Sequence, residues 1–205
     1  RQGVAMSFII LSFRFLREKR FFLFIIMVIF ASLFHTSALV FLIAYPVSFL
    51  KGKYIYIVLL ITVFTASLIF PYQIRFLIDL LAWTENLAAY SSWSDTLNYS
   101  GLVIQLSIFI FCFIFRKQLI KDNQINQILI NLLFIGVVFQ MFSTIIAEFF
   151  RVSMYFSLFS VILIPNTIHQ IKNYNARYVI YISVSILLIT YVYVSSLLSG
   201  FEFFF

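Results

Sequence analysis

Long apolar runs alternate with short polar clusters along this chain of 205 residues. The runs cover residues 4–16, 21–50, 54–70, 101–115, 125–150, 152–164 and 178–199. Apolar stretches of this kind, bounded by charge, are typical of helices that cross or enter a bilayer. The pattern therefore predicts an all-α, polytopic transmembrane helical bundle. No connection is long enough for a soluble domain, so residues 1–205 are predicted to form a single transmembrane domain.

The basic clusters set the sides of the predicted bundle. They lie at residues 17–20, 51–53, 116–121 and 172–177, and the positive-inside rule places all four in the cytoplasm. The run 21–50 then starts and ends on one side. As a single helix it would measure about 45 Å, against a hydrocarbon core of about 30 Å. We therefore expect a hairpin that turns near His35 at the outer face, and about eight membrane segments in all.

Polar side chains interrupt the run 21–50 at its centre, where His35, Thr36 and Ser37 follow one another. Polar groups at membrane depth are costly and usually line a cavity or a helix contact. One interpretation is a kinked helix with a hydrogen-bonded histidine. The other is a break between two helices that holds His35 at the membrane surface. The hydroxyls of Thr36 and Ser37 could cap the second helix.

Three arginines fall on the predicted outer side, namely Arg1, Arg75 and Arg151. The guanidinium group binds phosphate through a planar fork of donors, so these residues suit a site for a lipid phosphate. The alternative is local pairing, of Arg75 with Asp79 and of Arg151 with Glu148, or contact with outer headgroups.

One long connection, residues 71–100, is predicted to form an outer loop. Its first part places Arg75 and Asp79 on one face of a helix lying in the membrane interface. Its second part carries both tryptophans of the chain, Trp83 and Trp93. These aromatic residues fit a belt at the membrane boundary, or a surface that stacks on sugars.

Composition excludes several classes of protein. Hydrophobic residues make up 63% of the chain and charged residues 10%, and the net charge is +7. Because the basic residues flank apolar runs, they indicate a membrane rather than a nucleic acid as partner. The single cysteine, Cys112, is predicted to be a packing residue. The sequence contains no zinc-binding, nucleotide-binding or dinucleotide-binding motif, so we predict no cofactor and no metal.

Three short segments resemble those of the EpsG family. They are residues 1–5 (RQGVA, as RQ-x-x-A), 34–39 (FHTSAL, as FH-x-SAL) and 151–156 (RVSMYF, as R-x-x-x-YF) with 162–165 (ILIP) after it. The order and spacing of the segments also match. The family is similar to Wzy-type polymerases and has longer, multi-pass members. The resemblance therefore implies that this chain, which begins at Arg1, is the C-terminal portion of a longer protein.

The resemblance implies an activity and a location. Undecaprenyl-diphosphate-linked oligosaccharide repeat units would be polymerised into exopolysaccharide or capsule at the outer face of the bacterial plasma membrane. The protein would be a multi-pass membrane glycosyltransferase, expected to be metal-independent. Its expected partners are the lipid-linked glycan, membrane lipid and other polysaccharide-assembly proteins.

The chemistry of such a transfer defines two sets of predicted site residues. Stabilisation of the departing diphosphate and removal of a proton from the acceptor hydroxyl are the two tasks. The predicted catalytic residues are His35, Arg151 and Arg1, and the predicted substrate-binding residues are Arg75, Tyr155, Gln2 and Asp79. His35 suits a base through its near-neutral pKa, although Asp79 and Glu148 are alternatives.

Three other functions remain open at this stage. A transporter or flippase for a lipid-linked sugar would need a polar path across the membrane, for which the spans offer mainly Gln105, Asn131 and Gln140. An O-antigen-ligase-like glycosyltransferase would use similar chemistry with a different acceptor. A membrane scaffold would have no catalytic role.

Overall fold

The computed structural model describes residues 1–70, 72–73, 99–143, 145–146 and 149–199. Within these ranges every regular element is helical, which confirms the predicted all-α class. The elements are α1 (Gln2–Arg17), α2 (Phe21–Phe34), a 3₁₀ helix (Thr36–Ile43), α3 (Ala44–Val47), α4 (Lys53–Ile69), α5 (Ser100–Ile114), α6 (Arg116–Asp122), α7 (Ile125–Phe142), α8 (Phe149–Ser157), α9 (Ser160–His169) and α10 (Tyr174–Ser199). Apart from residues 72–73 and 99–100, the predicted outer loop lies outside the described residues.

Helix α7 lies at the centre of the described core. It packs against α3, α4, α5, α6, α8 and α9, and its side chains are buried around most of the helix, including Ile130, Leu132, Phe134 and Val137. A helix that is apolar on all sides is expected in the interior of a bundle. The sequence of α7 therefore determines its central position.

The outward faces of the surrounding helices are strongly apolar. Phe22 is 79% exposed, Leu33 73% and Val161 71%, and α4 and α5 also present large apolar side chains outward. Exposed apolar surface on this scale marks contact with lipid or another protein rather than with water. Together with the apolar spans, it identifies a membrane protein.

By length and composition, one described helix, Ile125–Phe142, is able to cross a membrane. Two bent pairs raise this number to three if each pair forms a single span. They are Ser100–Ile114 with Arg116–Asp122, bent by 64°, and Phe149–Ser157 with Ser160–His169, bent by 46°. The helices of the predicted hairpin are shorter than a full span. The predicted number of about eight membrane segments therefore stays a prediction.

The predicted hairpin in residues 21–50 is confirmed, and it turns at His35. Helix α2 ends at Phe34, and His35 has an extended backbone with φ −154° and ψ 111°. The chain then folds back along α2, so that the ring of Phe21 at the start of the hairpin lies 4.7 Å from that of Tyr45 near its end. No side chain caps the 3₁₀ helix, so the predicted capping by Thr36 or Ser37 is wrong. Instead, the backbone N–H of Ala38 bonds the carbonyl of His35 at 3.0 Å.

Asn131 of α7 fixes the end of the hairpin that lies away from His35. Its amide nitrogen lies 2.8 Å from the carbonyl oxygen of Val47, 3.3 Å from that of Ser48 and 3.2 Å from that of Leu50. Its oxygen accepts a hydrogen bond from the hydroxyl of Tyr56. Carbonyls at a helix end lack partners within the helix, so Asn131 both satisfies them and ties the hairpin to the central helix.

Two details of the C-terminal half differ from the sequence prediction. Arg151 separates the apolar runs 125–150 and 152–164 in the sequence, but it is the third residue of α8, because α7 already ends at Phe142 and α8 begins at Phe149. The apolar run 152–164 ends just before Pro165, but the helix does not end there, since Pro165 lies inside α9. Proline removes a single N–H donor from a helix, and the bend between α8 and α9 comes before it.

Candidate functional site

The starts of α1 and α8 meet at one end of the bundle. The side-chain amide of Gln2 donates a hydrogen bond to the backbone carbonyl of Arg151, with an N–O distance of 3.3 Å. Arg1 directly precedes Gln2 and accepts the first backbone bond of α1, from Ala5 at 3.2 Å. Arg1 and Arg151 are both exposed. Two of the three predicted outer arginines, Arg1 and Arg151, therefore lie at the starts of two helices that this hydrogen bond joins.

The turn of the hairpin reaches the same helix α8. The hydroxyl of Ser37 lies 3.4 Å from that of Tyr155, and the Tyr155 side chain is fully buried. One residue further along α8, the ring of Phe156 lies 5.1 Å from that of Phe41 in the 3₁₀ helix. This aromatic contact holds the turn against α8. We use the name site cluster for Gln2, His35, Ser37, Arg151 and Tyr155.

His35 lies within the electrostatic range of Arg151. Partial burial lowers the pKa of His35, and the nearby Arg151 guanidinium lowers it further. Both effects disfavour the imidazolium, because burial costs hydration and a second positive charge is repelled. His35 is therefore a neutral ring at pH 7, with a nitrogen that is able to accept a proton.

A buried polar contact joins α5, α7 and α8 next to the site cluster. The hydroxyl of Ser153 lies 2.9 Å from the side-chain oxygen of Gln105 and 2.9 Å from the backbone carbonyl of Gly136. Ser153 and Gln105 are both buried. The helices approach closely here. A Cβ added to Gly136 would lie only 2.5 Å from the Gln105 amide nitrogen.

The predicted site residues are placed as follows. Gln2, His35, Arg151 and Tyr155 come together, and Arg1 adjoins them. Arg75, Asp79 and Glu148 lie outside the described residues. In the part of the chain that the structure describes, no group of three or more His, Cys, Asp or Glu side chains could hold a metal ion.

A comparison with known protein families shows to which family this chain belongs. The model of the EpsG family matches residues 1–205. The chain belongs to the EpsG family. Neither the curated proteins nor the solved structures contain a significant match. The family match confirms the resemblance seen in three short segments, and those segments of this EpsG-family chain supply the whole of the site cluster.

Sequence reasoning missed the contribution of Ser37, Ser153 and Gln105. Ser37 was interpreted as a helix cap, whereas its hydroxyl faces Tyr155. Ser153 lies two residues after Arg151, within a segment that resembles the family. Gln105 was considered only as part of a polar path for a transporter. A polar residue within an apolar run is itself a signal, because it needs a partner at membrane depth.

Proposed function

We propose that this EpsG-family protein polymerises undecaprenyl-diphosphate-linked oligosaccharide repeat units into exopolysaccharide or capsule. The reaction takes place at the outer face of the bacterial plasma membrane, in which the protein is multi-pass. The observation that carries the proposal is the contact of the three family-like segments through the Gln2–Arg151 and Ser37–Tyr155 hydrogen bonds. Family membership supports a polysaccharide polymerase-like membrane protein.

The reaction moves one glycan from its lipid diphosphate to a sugar hydroxyl of a second lipid-linked unit. The bond between the anomeric carbon and the diphosphate oxygen breaks, and its electron pair leaves with the diphosphate. The acceptor oxygen forms the new bond to the anomeric carbon and loses its proton to a base. Negative charge therefore builds on the diphosphate while a proton must be taken up.

The site cluster offers a group for each task. The guanidinium of Arg151, with Arg1 beside it, faces the charge that develops on the diphosphate, because fixed cations stabilise such charge without reorganisation. His35 is the base, since its lowered pKa keeps the ring neutral at pH 7. Gln2 and Tyr155 hold α1 and the hairpin turn against α8. Arg75 and Asp79 are proposed to bind the substrate from the loop.

The test is the size distribution of lipid-linked glycan in bacterial cells that lack the gene. The cells are complemented with the wild type, Arg151→Ala, His35→Ala or Arg17→Ala. Arg17 is a matched control, because it is an exposed arginine at the opposite end of α1. We expect long chains with the wild type and Arg17→Ala, and single repeat units with the other two variants at equal membrane levels.

Other results assign a different function. Long chains in cells without the gene would contradict a polymerase. Loss of all lipid-linked glycan from the outer face would indicate a transporter, and long chains that stay on the lipid would indicate a ligase. Long chains with both Arg151→Ala and His35→Ala would remove the two residues from the mechanism and leave the polymerase itself standing.

A further inference from the structure

The sequence pattern Gly-x-Val-x-Gln occurs twice in the chain. Residues 101–105 read GLVIQ in α5, and residues 136–140 read GVVFQ in α7. Positions four apart lie on the same face of a helix, one turn from each other. Each motif therefore places a glycine and a glutamine on one face. Both glutamines are buried, with Gln105 8% and Gln140 4% exposed.

The two motifs pack against each other reciprocally. A Cβ added to Gly101 would lie 2.8 Å from Nε2 of Gln140, and a Cβ added to Gly136 would lie 2.5 Å from Nε2 of Gln105. Each amide therefore occupies the space that the opposite glycine leaves, and the two helices run antiparallel. We call these contacts the Gly–Gln pairs. A slip of one residue moves a helix by about 1.5 Å and turns it by about 100°, so the pairs select one register of α5 on α7.

The Gly–Gln pairs also bond both sides of the connection that carries Arg151. Nε2 of Gln140 donates to the hydroxyl of Ser143 at 3.0 Å, directly after the end of α7. On α8, the hydroxyl of Ser153 lies 2.9 Å from Oε1 of Gln105. Arg151 lies between these two serines in sequence, two residues before Ser153. One glutamine therefore holds each side of the segment that carries Arg151.

Apolar side chains would fill the same space at a lower cost in free energy. A buried amide loses its hydration, and Nε2 of Gln105 has no acceptor among the residues that the structure describes. In helix bundles, a single buried polar side chain specifies one register and lowers stability. The two glutamines therefore fit a role in setting position rather than in raising stability.

We propose that Gln105 and Gln140 are positioning residues for Arg151. The Gly–Gln pairs fix α5 on α7. The bonds to Ser153 and Ser143 then fix the rotation and the height of α8, so that the Arg151 guanidinium stays within electrostatic range of His35. Neither glutamine contacts the substrate. The use of this position in catalysis rests on the proposed function, whereas the position itself does not.

The test is NMR titration of the His35 imidazole in the purified full chain. The Arg151 guanidinium contributes to the lowered pKa of His35, so this pKa reports the distance between the two groups. Gln105→Leu and Gln140→Leu remove the amide and keep a side chain of similar size. We expect each variant to raise the pKa of His35 towards the value measured in Arg151→Gln. Thermal stability should stay equal or rise, because leucine buries no amide. A purely structural role would change stability and leave the pKa as it is.

Gln127→Leu is the matched control. Gln127 is a glutamine of the same helix α7, about 20 Å along the axis from Gln140, and it bonds Tyr56 and Asn131 instead of α8. We expect this variant to leave the pKa of His35 unchanged. Ser153→Ala removes a single hydroxyl and tests the same link with a smaller change. It should raise the pKa as Gln105→Leu does.

The reciprocal packing is tested separately by thermal unfolding. The methyl group in Gly101→Ala meets only the Gln140 amide among the described residues of other helices. We expect this variant to lower the midpoint of unfolding by about 2–4 °C. In a Gln140→Ala background the methyl group has room, so the loss should disappear. In a Gln105→Ala background the loss should remain.

An unchanged pKa of His35 in both Gln105→Leu and Ser153→Ala, or an equal rise in Gln127→Leu, would overturn the positioning role. Equal losses from Gly101→Ala in the two backgrounds would overturn the reciprocal packing. The titration needs no turnover, so it is independent of the proposed function. If cells make polymer without the gene while the pKa shifts, the proposed function fails and the positioning of Arg151 stands.

Discussion

Ser37 and Tyr155 are 118 residues apart in sequence, yet their hydroxyl oxygens lie 3.4 Å apart. The contact joins the turn of the hairpin to α8, and with it His35 to the segment that carries Arg151. The contact therefore keeps the two halves of the site cluster, the hairpin turn and α8, in position relative to each other.

A double-mutant cycle measures this connection. Ser37→Ala and Tyr155→Phe each remove one hydroxyl, and the double variant removes both. We expect a coupling of about 0.5–1 kcal/mol in the free energy of unfolding, since each single change already breaks the bond. The polymerisation rate should fall by a similar factor in all three variants. Strictly additive losses would show that the two hydroxyls do not bond.

Acid should remove the base activity of His35. Burial and the Arg151 guanidinium hold the pKa of His35 below its ordinary 6.5, and only the neutral ring accepts a proton. The rate of glycan transfer should be constant above pH 6.5. Well below the pKa that His35 has in the folded protein, the rate should fall about tenfold per pH unit. The measurement is the rate of glycan transfer against pH in a His169→Gln background. This change removes the second of the two histidines in the sequence and leaves His35. A flat acid limb would remove His35 as the base.

The same shift affects stability. Because the unfolded chain binds the proton more readily than the folded protein, stability is full above pH 6.5 and decreases as the pH falls towards the lowered pKa. His35→Gln should abolish this part of the pH dependence. Arg151→Gln should raise the pKa of His35, which NMR titration of the imidazole detects, and an unchanged pKa would mean that Arg151 acts elsewhere.

Gly136 should tolerate no side chain. A Cβ there would meet the backbone nitrogen of Ser157 at 3.3 Å as well as the Gln105 amide at 2.5 Å. The amide is able to swing aside, but the backbone of α8 moves only if the helices separate. We expect Gly136→Ala to lower the free energy of unfolding by about 1–3 kcal/mol, measured by thermal unfolding in detergent. Gly3→Ala is the control, since its Cβ would meet nothing within 4 Å. Equal stability of the two variants would contradict close packing of α7 on α8.

Replacing Lys19 with glycine should make the protein more stable. It has a positive φ of 57°, and it ends α1 in a Schellman motif, with its N–H bonded to Leu16 O at 3.2 Å and that of Arg20 to Phe15 O at 2.9 Å. The left-handed conformation costs a side-chain-bearing residue about 1 kcal/mol. Lys19→Gly should therefore raise the stability by about 1 kcal/mol, whereas Arg17→Gly, inside α1, should lower it by about as much. Loss of stability in Lys19→Gly would contradict this conformation.

Hydropathy and charge predicted much of the fold, because a helix buried in a membrane must carry apolar side chains, and these are visible directly in the sequence. The run 54–70 corresponds to α4 (Lys53–Ile69), and the run 101–115 to α5 (Ser100–Ile114). The hairpin followed from the positions of the basic clusters alone, since two clusters on one side require the chain between them to return.

The break within residues 125–150 was not predictable in the same way. The break contains neither proline nor glycine, and the polar residues Ser143, Thr144 and Glu148 alternate there with apolar ones, so no strong helix-breaking signal marks the end of α7. The cause is tertiary: the ring of Phe149 packs 5.9 Å from that of Phe139 and 5.8 Å from that of Phe142, which folds α8 back along α7. The bond between Gln2 and Arg151 likewise joins residues whose sequence separation no local pattern encodes.

The burial of α7 among helices from both halves of the chain also determines when the protein becomes complete during synthesis. Helix α1 and the hairpin leave the ribosome more than seventy residues before α7, which begins at Ile125. Until α7 and α8 are made, the carbonyls of Val47, Ser48 and Leu50 lack Asn131 and the hydroxyl of Ser37 lacks Tyr155. The early helices therefore lack these hydrogen-bond partners until the second half of the chain has been made. A chain cut short before residue 149 holds every residue of the hairpin but none of the contacts that define the site cluster.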